Sequence, residues 1–98
     1  MRVYACAMDI MYDLRARSPR PGDLALGGWA WLPRMIDKAR ATYHGNPGTY
    51  VHPCSRDRVL LAHMGLSVDE FREIIEQTST DEEVLSQLEA ARAAKGLG

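Results

Sequence analysis

The octapeptide Tyr50-Val51-His52-Pro53-Cys54-Ser55-Arg56-Asp57 gathers more chemically capable side chains than any other stretch of the chain. A cysteine and a histidine are the minimum set for nucleophilic catalysis: the thiolate attacks and the imidazole moves a proton. Cys54 stands just ahead of a segment with helical period, where unpaired N–H groups and the helix dipole favour a negative sulfur. His52 lies two residues back, so an extended backbone would turn both side chains the same way. Asp57 either orients the imidazole or simply occupies the first helical turn. The inert reading is strong, because cysteine is among the most often buried residue types and a buried thiol does not react. Cys54, His52 and Asp57 are therefore the catalytic candidates, and whether the chain is an enzyme stays open.

A second set of residues is suited to holding a ligand. Arg34, Asp37 and Arg56, with the aromatic Trp29 and Tyr50, combine fixed charge with flat apolar surface. Asp37 is flanked by Arg34, Lys38 and Arg40, and surface ion pairs at helical spacing account for it; a carboxylate projecting into a pocket is the alternative. Trp29 and Trp31 cannot share one helical face, so one of them should line a pocket or a partner contact. His44 and His63 read as helix-ending residues near a negative pole. The two cysteines, Cys6 and Cys54, come with no paired Cys-x-x-Cys or His-x-x-x-His spacing. They read as free thiols, and neither a metal nor a cofactor is expected.

These side chains depend on the stretch Leu26–His44, LGGWAWLPRMIDKARATYH. Trp29, Leu32, Ile36, Ala39 and Tyr43 fall at steps of three and four and share one helical face. Arg34, Asp37, Lys38 and Arg40 cover the rest of the cylinder. Pro33 fits the first turn, so the helix is expected at about Ala30–Tyr43, with Gly27-Gly28 as its flexible approach. Before it, RARSPRPGD (Arg15–Asp23) is a solvated loop. After it, Gly45-Asn46-Pro47-Gly48 is a turn, and Thr49–His52 a brief extended segment.

From Ser55 onward the text is helical and well punctuated. Ser55 is the expected cap of a helix over Arg56–Met64 that Gly65 ends. Ser67 with Glu70, and Thr80 with Glu83, are capping boxes; Leu66 and Phe71 form a hydrophobic staple. Val68, Phe71, Ile74, Ile75 and Thr78 face inward on one helix, and Val84, Leu85, Leu88 and Ala91 on the next, which runs to about Ala94. Ile36, Leu60, Phe71, Ile74, Val84 and Leu88 are the predicted centre of one core. The turn at 45–48 reverses the chain, so the segment after it should return along the central helix. Gly27–Arg34, Tyr50–His52 and the helix start after Cys54 should then converge on a locally positive place.

The 98 residues allow one small core with a net stability of roughly 5–10 kcal/mol. The expected fold is all-α or nearly so, a bundle of four to five short helices with one extended segment. Residues 1–12 are read as an irregular N-terminal extension and 13–96 as a single helical domain. Residues 1–56 hold eight Lys/Arg against four Asp/Glu, and residues 57–98 hold four against nine. The net charges of +4 and −5 make the halves complementary, and the basic excess is too weak for nucleic acid. No apolar run approaches a membrane span and no signal peptide is legible, so a cytoplasmic protein is expected.

The strings RSPRP, LGGWAWLPRMIDKARA and PCSRDRVLLAHMGLSVDEF resemble a small bacterial family of unknown function, catalogued as domain-of-unknown-function family five thousand and sixty-nine. The resemblance covers about Asp13–Ala90, with LPRMIDKARA its most specific part. It implies a compact, mostly helical cytosolic domain and no agreed activity, so it assigns no catalytic residue. Cys54 and Asp57 agree with the family's Cys-Pro-Leu-Asp, while Ser55 and Arg56 depart from it. Two functions follow from the residues. One is non-catalytic binding of a small anionic molecule or a protein partner, a homodimer remaining open. The other is a small enzyme of a specialised (secondary-metabolic) pathway that uses Cys54, His52 and Asp57.

Overall fold

A computed structural model describes residues 13–97, so the expected N-terminal extension lies outside the described residues. Two short strands and four helices follow in order: β1 (Ala25–Leu26), β2 (Trp29–Ala30), α1 (Leu32–Tyr43), α2 (Ser55–Met64), α3 (Val68–Gln77) and α4 (Asp81–Ala94). The mostly helical fold is the one the periodicity predicts. No helix among the described residues is long and apolar enough to cross a membrane.

The extended part lies elsewhere than expected. Gly27 and Gly28 have φ of 59° and 85° and form the two-residue turn of an antiparallel hairpin, Ala25 facing Ala30 and Leu26 facing Trp29. Glycine alone takes both positive φ values without steric cost, which is why this pair selects a hairpin. Trp29 and Ala30 are consequently strand, and α1 begins at Leu32 with Pro33 in its first turn. Thr49–His52 form no strand. Without a ladder partner among the described residues, the Tyr50 N–H instead closes a turn onto Pro47 O at 3.1 Å.

The later helices are punctuated by their side chains. Ser67 and Thr80 cap α3 and α4 through reciprocal bonds with Glu70 and Glu83, as expected. The cap of α2 is Cys54 and not Ser55: its sulfur accepts from the Asp57 N–H while the Asp57 carboxylate accepts from the Cys54 N–H. The aspartate at the third helical position closes that box, and it can do so only if the helix begins one residue early. Gly65 stops α2 in the left-handed conformation.

One buried cluster joins all four helices: Leu32, Met35, Ile36 and Ala39 of α1, Leu61 and Met64 of α2, Phe71, Ile74 and Ile75 of α3, Val84 and Leu88 of α4. Leu60 is only half-buried, against expectation. The inward stripe of α2 is Asp57, Leu61 and Met64, stepping by four and three, which leaves Leu60 at its edge. Lys38 and Arg40, expected on the solvated side of α1, are also buried. Arg40 Nη1 donates to Ile75 O (3.0 Å) and Thr78 O (2.9 Å), tying α1 to the open carbonyls at the end of α3.

Candidate functional site

Asp57 puts a carboxylate on the core face of α2, fully shielded from solvent. An ion there persists only if it is paired and saturated with hydrogen bonds. Its Oδ1 accepts from Trp31 Nε1 at 2.8 Å. Its Oδ2 accepts from the Cys54 N–H at 3.1 Å and lies 3.0 Å from Lys38 Nζ and 2.9 Å from His52 Nδ1. Burial pushes the carboxyl pKa up, but the bonds from His52, Trp31, Cys54 and Lys38 outweigh it and hold the group well below the usual carboxylate range. A carboxylate only accepts, so His52 Nδ1 carries a proton. The far nitrogen, Nε2, is buried without a hydrogen-bond partner, with the ring between Tyr43 (centroids 5.9 Å apart) and Phe71 (5.8 Å).

Cys54 adjoins this hub without pairing to the imidazole. Its Sγ accepts from Lys38 Nζ at 3.1 Å and from the Asp57 N–H at 3.5 Å. The expected extended strand does not form; the histidine addresses the Asp57 carboxylate, while the thiol addresses Lys38 and the Asp57 N–H. The three catalytic candidates meet, but as a carboxylate with donors around it and not as a nucleophile hydrogen-bonded to its base.

Above the hub lies an aromatic and cationic layer. Trp31 sits between β2 and α1 with a φ of 77°, a left-handed backbone that costs a non-glycine residue about 1 kcal/mol. Three bonds hold it there: Nε1 to Asp57, its N–H to Leu24 O (3.1 Å) and its carbonyl to the Met35 N–H (3.0 Å). Its six-membered ring lies against the Cα of Gly22, where any side chain would collide with it. Arg56 Cζ is 4.8 Å from the Trp31 ring centroid and Arg34 Cζ 5.3 Å, while Arg34 is also 5.6 Å from the Tyr50 centroid. All are cation–π distances. Among the described residues neither arginine has a carboxylate partner. Lys38, by contrast, is neutralised by Asp57.

Two residues expected to bind ligand lie apart from this layer. Asp37 takes a partner from outside α1: Arg20 of the loop pairs with it at 3.0 Å and takes Asp81 of α4 with its other nitrogen. Asp37 and Arg20 line a separate cleft of about 390 Å³ with Arg17, Ser18, Arg40 and Asp81. Trp29 lies under Arg92, whose Cζ is 5.1 Å from its ring centroid. Sequence reasoning left Lys38 out of the site and named Trp29 among the ligand-binding residues, whereas Trp31 is the tryptophan beside Arg34, Arg56 and Asp57. Arg34 and Lys38 step by four and share one face of α1, while Trp31 precedes the helix in a left-handed conformation and joins them through its bond to Asp57. Among the described residues no His/Cys/Asp/Glu group has a metal-holding arrangement.

The model of a family described as a domain of unknown function (DUF5069) matches residues 15–96. No curated protein matches the chain.

Proposed function

The chain belongs to the DUF5069 family, and we propose that it binds a small anionic molecule through Arg34 and Arg56 without performing catalysis on it. The observation that carries this reading is the pair of guanidinium groups stacked on Trp31 with no carboxylate among the described residues to neutralise them. Stacking on an aromatic ring leaves a guanidinium's N–H edge free to donate. The Trp31 ring is anchored from below by Asp57, so the platform is held before any ligand arrives and less ordering is needed on binding. A protein partner offering an acidic side chain would suit the same arginines. A cytoplasmic setting belongs to this reading, Cys54 being a free thiol.

The test is calorimetric titration with small anions of the wild-type protein and of Arg34→Glu and Arg56→Glu. Binding of at least one anion, weakened tenfold or more by each reversal while the circular-dichroism melt persists, is the expected result. Affinities indifferent to both reversals would remove the reading.

One observation favours an enzyme instead: the 3.1 Å contact of Lys38 Nζ with Cys54 Sγ, which sets a cation beside a nucleophile. That arrangement predicts fast alkylation of Cys54 at neutral pH, with protection by a bound ligand. A merely capping thiol labels slowly and shows no protection.

A further inference from the structure

We infer that the anion carries a phosphoryl dianion on an apolar organic group, as a small phosphomonoester does, and not a carboxylate. This rests on the binding role assigned above to Arg34 and Arg56.

The first ground is the count of donors against acceptors. Both guanidinium carbons lie within 5.3 Å of one indole centroid, so they are no more than about 10 Å apart. Arg34 commits Nη1 to Arg20 O at 3.3 Å; its other N–H groups and those of Arg56 find no acceptor among the described residues. A carboxylate offers two oxygens and a single negative charge to two guanidinium groups, which leaves one positive charge unanswered even when both forks donate to it. A phosphoryl group has three terminal oxygens and a charge of about −1.5 to −2 at neutral pH, so it can accept from both forks at once.

The second ground is charge. Within this layer Lys38 is cancelled by Asp57, and Asp37 and Asp81 are held by Arg20. Among the described residues of the layer the uncompensated charge is that of Arg34 and Arg56, which a dianion neutralises and a monoanion leaves half open. The third ground is the margin of the surface. Val59, one helical turn from Arg56, and Val51, next to Tyr50, are 53 % and 62 % exposed. Such valines beside an arginine pair favour a ligand whose phosphoryl head is attached to an apolar or aromatic body over inorganic phosphate alone.

Trp31 itself can report the test. In a Trp29→Phe background the remaining tryptophan fluorescence follows binding of phenyl phosphate, inorganic phosphate and benzoate at one pH and ionic strength. Phenyl phosphate should bind at least tenfold more tightly than benzoate and at least threefold more tightly than inorganic phosphate. Arg56→Gln should weaken it tenfold or more. Arg56→Lys, which keeps the charge but loses the fork, should fall between the two. Benzoate within tenfold of phenyl phosphate overturns the phosphoryl assignment while leaving anion binding intact. Inorganic phosphate within threefold overturns the organic body only. No response to any of the three, checked by calorimetry on the wild type, overturns this inference and the binding function together.

Discussion

Replacing Asp57 with asparagine tests the hub directly. The substitution keeps the side-chain shape and one acceptor oxygen but removes the charge. Lys38, with a side chain only 5 % exposed, would then hold a buried ammonium facing no carboxylate. Removing one partner of a buried pair costs about 3–5 kcal/mol, since the other charge stays desolvated. Asparagine can still accept from Trp31 or from the Cys54 N–H, so about 3 kcal/mol is expected. Asp57→Ala strands every donor and should approach about 5 kcal/mol. In urea, with a slope near 1.5 kcal/mol/M, the asparagine variant should lose about 2 M in its midpoint. Lys38→Met is the second arm. Added to Asp57→Asn it should restore about 1 kcal/mol or more, because the stranded ammonium is removed, although alone in the wild type it destabilises. A midpoint shift equivalent to less than about 1 kcal/mol, or strict additivity of the two changes, would show that this ion pair does not hold the fold.

Other outcomes follow from the same contacts. Asp57 has a folded-state pKa below its unfolded value of about 3.8, so its stabilisation is complete above that value and lost as pH falls through the lower folded one. The stability gap between wild type and Asp57→Asn should therefore be constant from pH 5 to 7 and narrow below about pH 4, read by denaturation at each pH. Leu88→Ala, at a fully buried position of α4, should cost about 2–4 kcal/mol by calorimetric melting, and an unchanged melt would contradict the packing. Ser67→Ala removes the acceptor of the Glu70 N–H at 3.0 Å and should cost about 1 kcal/mol in urea titration.

The features legible in the linear text were those decided within a few residues. Ser67 with Glu70 and Thr80 with Glu83 cap their helices because each box closes over three residues, whatever the rest of the chain does. The stripes of α1, α3 and α4 were legible for a similar reason: a helix repeats every 3.6 residues, so a run of apolar side chains at that period has one place to go. Local signals misled where two were compatible. Gly27-Gly28 suits both a loose approach to a helix and a hairpin turn, and only pairing of Leu26 with Trp29 chose the hairpin. Cys54 and Ser55 can each cap α2, and the choice fell to the carboxylate three residues beyond the cap.

Tertiary structure alone decided what surrounds the candidate site. Asp57 could be seen as a first-turn acid, but nothing near it in sequence shows that it faces the core. That follows from α2 packing its Asp57–Leu61–Met64 stripe inward, where a bare carboxylate is untenable until Lys38 from α1, Trp31 from the hairpin exit and His52 from the loop supply donors. Lys38 and Arg40 read as solvated cations on an amphipathic helix, and desolvation becomes tolerable for them only because Asp57 and the carbonyls ending α3 sit opposite. The sequence by itself determines which residues carry charge, which faces are apolar and where the helices closed by a capping box at Ser67 and Thr80 begin. It cannot fix which cation meets which anion across 19 or more positions, because that pairing depends on how the helices pack and not on the spacing of the residues along the chain.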